Sequence, residues 1–414
     1  MNPESRGRVV ALLCSAEVLS MTGFAAYPAL LPTLQSSWRL TSAQAGFLSG
    51  VYFGGYMAAV PVLASLTDRV DPRRVYFVAT LLSALGSAGF ALFARGIVPA
   101  ALCQAIAGAG LAGTYMPGLK ALVDRIEGPR QSRSVAFYTS SFGIGGSLSL
   151  WLAGRVAEAA GWRAAFGAAA VGPILAGWIV LLGLAPRLPA RSGAASHLLD
   201  FRPVLRNRTA GAYIAGYAAH CWELFGLRSW IVAFFVFAGS LGSGPAMPWS
   251  AASAAAAINL LGPGMSILGN ELAGRAGRRR VIAGFMAMSA AAGVAVGFTA
   301  LLPWPLMLGA VALYFLVIVG DSASLTAGVV AAAHAEQRGT TIAAHSFLGF
   351  GAGFLAPLAM GLVLDRAGAA STTGWALAFA SLAAAGVAGL VAFTLLGRQL
   401  RESRRSCRTT PPLR

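Results

Sequence analysis

Twelve apolar stretches, each about twenty residues or longer, run from one end of this chain to the other, and nothing else in the sequence constrains its fold so tightly. They fall at about 9–31, 43–66, 75–94, 97–122, 134–157, 163–185, 210–237, 249–272, 281–301, 305–332, 340–364 and 374–396. That length is what an α-helix needs to cross the hydrocarbon of a bilayer. Lipid offers no hydrogen bonds, so each backbone N–H and C=O must be satisfied within the segment, which predicts helices. Hydrophobic residues make up 57% of the 414 and charged residues 11%, too little polar surface for a soluble chain of this size. The expected fold class is an all-α membrane protein with twelve transmembrane helices.

A net charge of +17 raises the question of nucleic acid. The basic residues, however, sit in short clusters between apolar stretches without aromatic interleaving, which excludes that partner. Their distribution reads as topology instead. With the N-terminus inside, twenty-four arginines fall on inside segments and five on outside ones, namely Arg39, Arg95, Arg155, Arg163 and Arg366. Both termini are therefore expected in the cytoplasm. Thirty of the thirty-one basic residues are arginine, which suggests a GC-rich bacterial genome and so a bacterial inner (plasma) membrane. Cys14, Cys103 and Cys221 lie in apolar stretches and Cys407 in the tail, neither a disulfide framework nor a metal spacing. The apolar run from Val9 is too long for a cleavable signal peptide and lacks a small-residue cleavage site.

The longest polar connection, rich in proline and arginine, lies mid-chain. It divides the sequence into an N-terminal six-helix bundle (1–186), a cytoplasmic linker (187–208), a C-terminal six-helix bundle (209–397) and a basic cytoplasmic tail (398–414). The halves read as repeats. A shift of 206 residues lays Arg69, Arg73, Arg74 and Val75 on Arg275, Arg279, Arg280 and Val281. It also lays Ser140, Gly143 and Gly145 on Ser346, Gly349 and Gly351, and Glu17 on Glu223. Parallel repeats of this kind build many secondary transporters.

The loop after the second stretch reads Ala64-Ser-Leu-Thr-Asp68-Arg69-Val-Asp71-Pro72-Arg73-Arg74. It resembles the Gly-x-x-x-Asp-Arg-x-Gly-x-Arg-Arg loop of the major facilitator superfamily. The loop after the eighth stretch repeats it as Asn270-Glu-Leu-Ala-Gly274-Arg275-Ala-Gly277-Arg278-Arg279-Arg280. The resemblance implies two pseudo-symmetric six-helix bundles, the major facilitator fold. It also implies that Asp68, Arg69, Arg73, Arg74, Arg275, Arg279 and Arg280 are gating residues, pairing across helix ends to hold the outward-open state. The plainer alternative is that both clusters are topology signals. Several positions depart from the family pattern. Ala64 replaces Gly, Asp71-Pro72 replaces the later Gly, and Gly274 replaces Asp. Gln104-Ala-Ile-Ala-Gly108-Ala-Gly110 resembles the family's Arg-x-x-x-Gly-x-Gly with Gln104 in place of the arginine associated with proton coupling. Gly143-Ile-Gly145-Gly146 lacks the Gly-Pro pair typical of antiporters.

Ionisable side chains inside membrane helices cost roughly 2.5–3.5 kcal/mol each on insertion scales, so each one is a functional candidate. Glu17, Lys120, Glu223, Arg228 and Asp321 qualify, with His220 and His345 beside them. The charged ones lie on stretches one, four, seven and ten, which the resemblance places around a central cavity. His220 and Glu223 are three residues apart on one helix, with Arg228 about 80° from His220, so all three are expected in one cavity. A carboxylate beside a histidine can exchange a proton near neutral pH. The alternative is a structural ion pair between helices, such as Glu17 or Asp321 with Arg228. A metal at His220 and Glu223 would need further ligands. Lys120 either faces the cavity and holds an anion with Arg228, or snorkels to the headgroups. Asn259 precedes Pro263, where a helix break would free backbone groups for a ligand. His345 is expected near the interface.

The expected function is secondary active transport by alternating access. The expected substrate is a small organic or inorganic anion bound near mid-membrane and taken up with protons, working through Glu17, Gln104, Lys120, His220, Glu223, Arg228, Asn259 and Asp321. Efflux of drugs or metabolites by proton antiport, and a non-transporting membrane receptor, stand as alternatives. No nucleophile–base pair or phosphate loop is present, so an enzyme is not expected, and no cofactor or metal is implied. The expected partners are a small-molecule substrate, protons and the lipid bilayer, with the chain acting as a monomer.

Overall fold

Each apolar stretch becomes helix, and at the interruption of the first span polar side chains take up the freed backbone groups. A computed structural model describes residues 3–67, 69–126, 131–187, 202–242, 245–334 and 338–409. Among them all regular structure is helical: α1 (Pro3–Ser20), α2 (Ala26–Trp38), α3 (Ser42–Leu66), α4 (Pro72–Phe93), α5 (Ile97–Val123), α6 (Gln131–Gly183), α7 (Arg202–Arg206), α8 (Arg208–Ser240), α9 (Ala251–Leu260), α10 (Gly262–Ala276), α11 (Arg278–Val296), α12 (Trp304–Val319), α13 (Ser322–Ala332), α14 (Arg338–Ala367) and α15 (Thr372–Thr409).

Ten helical stretches are long and apolar enough to cross a bilayer. The longest, Arg133–Gly183, is two spans folded back at Gly161, whose φ of 82° is open to glycine and strained for other residues. The α1–α2 pair supplies the twelfth span. Spans 8 and 10 are the broken pairs α9–α10 and α12–α13. Large apolar side chains such as Leu92, Val98, Leu182 and Leu306 point outward, more than 60% exposed, as a surface solvated by lipid requires. Within the first six spans α3 and α4 pack on α5, and α1 and α4 on α6; within the last six, α14 and α15 pack on α8, and α11 on α15. The halves meet through α3 with α14, α6 with α9, and α2 with α8. The fold is two six-helix bundles face to face. Residues 188–201 of the expected linker and 410–414 of the expected tail lie outside the described residues.

The first span differs from the expected continuous helix over 9–31. It runs over 3–38 and breaks at 21–25. The break is held from α6. Ser149 Oγ donates to the Thr22 carbonyl (2.7 Å) and accepts from Ala25 N–H (2.9 Å), while Thr22 Oγ1 donates to the Ala169 carbonyl (2.8 Å). These side chains do the work that lipid cannot. Ser149→Ala would leave both backbone groups buried and unpaired, so it is expected to cost about 1–3 kcal/mol, read as a lowered unfolding midpoint in detergent.

Glycines let the halves approach closely far from the N-terminal face. A Cβ on Gly46 would meet the Pro357 carbonyl oxygen, and one on Gly361 the Ser42 carbonyl oxygen. Beside them Asp365, near the end of α14, accepts the first free N–H groups of α3, from Ser42 (2.6 Å) and Ala43 (2.9 Å). A carboxylate suits a helix N-terminus, where unpaired N–H groups carry partial positive charge. Within the C-terminal half, Trp230 Nε1 of α8 donates to the same Pro357 carbonyl (3.0 Å). The face opposite the N-terminus is thus latched shut.

Candidate functional site

Between the halves, just inside this latch, lies a small cavity. Its walls come from the break in span 1 (Phe24, Pro28), from α3 (Ser49, Tyr52, Phe53), from α5 (Gln104), and from α8 and α9 (Arg228, Asn259). Toward the N-terminal face an aromatic floor closes it. Phe53 sits 4.2 Å, ring to ring, from Phe225 across the halves, and Tyr56 stacks on Phe350 at 3.7 Å. Such ring pairs are worth about 0.5–1.5 kcal/mol beyond the area they bury.

Arg228 is the cation of this cavity. Its Nε donates to Asn259 Oδ1 (2.8 Å), its guanidinium carbon stands 5.7 Å from the Phe315 ring centre, and Asn259 Nδ2 donates in turn to the Ala255 carbonyl (2.9 Å). Asn259 lies in the last turn of α9, two residues before the break at Leu261 and ahead of Pro263, where the sequence signalled it. Among the described residues no carboxylate lies within ion-pair distance of Arg228. Gln104, where the family motif carries arginine, lines the same cavity, 4% exposed. The Ser49 hydroxyl is buried there without a hydrogen-bond partner.

The other expected site residues do not converge on this cavity. On a helix Glu223 lies about 60° to one side of His220 and Arg228 about 80° to the other, so Glu223 and Arg228 point some 140° apart. Glu223 turns into its own bundle, where Ser289 Oγ of α11 donates to its Oε2 (2.8 Å). Glu17 turns into the other bundle, where the Tyr138 hydroxyl of α6 donates to its Oε2 (3.0 Å). His220 and Glu223 therefore take different partners. The glutamates match under the 206-residue shift yet face different neighbours.

His220 Nδ1 lies 2.8 Å from Asp321 Oδ1, both side chains almost fully buried, with Asp321 at the break between α12 and α13. His345, expected at the interface, is 4% exposed instead. Tyr217 draws it in by stacking on its ring at 3.7 Å. Lys120 does not reach the cavity. It lies near the N-terminal-face end of α5, about one-third exposed, with Nζ 3.6 Å from Asp124 Oδ2.

The two arginine loops act within bundles. Asp71 caps α4, accepting Arg73 N–H (3.0 Å), and pairs with the Arg73 guanidinium (2.9 Å). Arg73 Nη1 also donates to the Leu184 carbonyl (2.6 Å) at the end of α6. Burial pushes the Asp71 carboxyl up, but hydrogen bonds from Arg73 and from Arg187 N–H outweigh it and hold the group below its ordinary value. One repeat later, Arg279 donates to the Phe393 carbonyl of α15 (3.0 Å) and lies over the Phe393 ring. Both arginines tie the third helix of a bundle to the sixth, so they staple each half rather than bridge the two. Arg69, Arg74, Arg275 and Arg280 are exposed, and Asp68 lies outside the described residues.

The Asp365 latch escaped the sequence reading. Its signal was Thr41-Ser-Ala-Gln44, a capping box in which Thr41 and Gln44 exchange bonds (3.0 and 3.2 Å) while the N–H groups of Ser42 and Ala43 remain for an outside acceptor.

Twelve spans in two like bundles, enclosing a cavity with a buried cation between them, define a multi-pass membrane transporter. The chain belongs to the Major Facilitator Superfamily, whose sequence profile matches residues 13–357. That superfamily consists of transporters rather than enzymes. Among solved structures the fold is similar to a bacterial homolog of the human lysosomal transporter Spinster in its inward-facing, unoccupied conformation. The TM-score is 0.71 at 16% identity, over 96% of each chain. It is equally similar to the POT family transporter PepTSo, with a TM-score of 0.71 at 14% identity, over 95% of this chain and 98% of that one. No curated protein matches the sequence.

Proposed function

We propose that the protein carries a small organic anion across the bacterial plasma membrane by proton-coupled symport, with its N-terminal face and both termini in the cytoplasm. The bundles of residues 1–186 and 209–397 rock about the cavity, joined by 187–208, and the tail 398–414 stays cytoplasmic. The observation that carries this reading is Arg228, a cation in the cavity between the halves with no carboxylate opposite it among the described residues. A buried charge left unpaired is costly, and a bound anion removes that cost.

Proton carriage is supported by hydrogen-bond arithmetic at the two glutamates. The single Tyr138 proton faces two acceptors at 3.0 Å, Glu17 Oε2 and the Tyr115 carbonyl. The single Ser289 proton faces Glu223 Oε2 and the Met286 carbonyl (3.0 Å). A protonated glutamate donates through Oε2 to the hydroxyl, which then donates to the carbonyl, so both contacts are made at once. An ionised glutamate leaves an acceptor unpaired. The His220–Asp321 pair adds a third place for a proton.

Proteoliposomes loaded with a pH dye test the reading. Organic anion uptake is expected to bring protons in with it. Arg228→Ala is expected to lower uptake by about tenfold or more. Asp321→Asn is expected to weaken the response to an imposed pH gradient. Protons leaving as solute enters would overturn symport in favour of efflux by antiport. Uptake of anions unchanged by Arg228→Ala would overturn the anion site.

A further inference from the structure

We infer that the cavity selects a monocarboxylate with a flat or compact apolar body, which deepens the proposed function and rests on its anion reading. Three observations support this class. The first is charge. Arg228 is the one charged side chain among the cavity's described lining residues, since Lys120 lies elsewhere beside Asp124 and the buried glutamates turn into their own bundles. One cation balances one negative charge. A dicarboxylate or a phosphate would bring a second charge with no partner into a site shielded from water. An amino acid would bring an ammonium group with no carboxylate among the lining residues to meet it.

The second observation is stereochemical. Asn259 Oδ1 already takes the Nε–H of Arg228, so the guanidinium offers its end, the Nη1 and Nη2 donors, rather than its side. A planar carboxylate accepts both in a parallel pair of charge-assisted bonds. The third is the remaining wall. Phe24, Tyr52, Phe53 and Leu150 give it an apolar, largely aromatic surface. The partnerless Ser49 hydroxyl is a spare donor 3% exposed on that same wall. A carboxylate end on Arg228 and an apolar end on these rings match the chemistry of the two kinds of lining.

The test is binding to the purified full-length chain by calorimetry, with benzoate, phthalate, inorganic phosphate, phenylalanine and benzamide as probes. Benzoate is expected to bind about tenfold or more tightly than each of the others, because each alternative leaves a charge or a donor unpaired. Arg228→Ala is expected to remove benzoate binding. Arg228→Lys, which keeps the charge and so guards against misfolding, is expected to bind about tenfold more weakly, since a point charge loses the paired geometry. If phthalate or phosphate binds as tightly as benzoate through Arg228, the monocarboxylate class is overturned while the anion reading stands. If no anion binds, or binding ignores both Arg228 variants, both readings fall.

Discussion

A Gly46→Val protein is expected to fold and insert, but to transport at less than about a tenth of the wild-type rate, because its far face cannot close. The Cβ of any larger residue at position 46 meets the Pro357 carbonyl oxygen and the Leu358 backbone, and neither can swing aside as a side chain would. Forcing extra atoms into a packed contact costs about 1–3 kcal/mol. Applied to one state of a two-state equilibrium, that shifts its population by about 5–150-fold. The open state makes no such contact, so the penalty falls on the latched form alone. Fold stability is then nearly unchanged while cycling fails. The measurement is labelling of a Ser49→Cys reporter by an impermeant maleimide from the far face, with the native cysteines replaced. Ser49 lines the cavity inside the latch, so the valine variant should label faster. Wild-type transport in Gly46→Val would refute the role given to this contact.

The second large effect is expected at Arg73. Arg73→Ala removes the partner of a nearly buried carboxylate and uncaps the end of α6, so it should destabilise the protein by about 3 kcal/mol. Arg73→Lys should recover only part of this, because a single ammonium cannot serve Asp71 and the Leu184 carbonyl in the same planar geometry. The pH dependence has a definite sign. Asp71 is held below its ordinary value of 3.8 in the folded chain, so its stabilisation is complete above the ordinary carboxylate range. It is lost only as pH falls through that lowered value. The stability gap between wild type and Asp71→Asn should therefore be constant near neutral pH and shrink in acid. A gap that widened on acidification would contradict the pairing.

Much of the architecture was legible because its cause is one-dimensional. A bilayer has a fixed thickness, so the length of each apolar run announces a crossing, and Gly161 and Pro263 mark real interruptions. Arg228 was legible as a cavity residue for the same reason, since a guanidinium at that depth needs a polar surround. The partners of the two glutamates were not legible. Residue type tells that a carboxylate is costly in lipid, but which neighbour answers it depends on helix rotation, and Tyr138 and Ser289 carry no mark of that in sequence. The arginine loops were legible, and the partners that Arg73 and Arg279 take were not. Charge clusters at helix ends look the same whether they bridge two bundles or, as Arg73 and Arg279 do, brace one. The break at 21–25 was missed because its support, Ser149, lies more than a hundred residues away.

The Asp365 contact has a genetic consequence. Its donors are main-chain amides, which no exchange of side chain at Ser42 or Ala43 can delete unless proline is introduced. Variation at Ser42 and Ala43 therefore leaves both amide bonds in place, and their strength on the far face can drift through a single codon, that of residue 365.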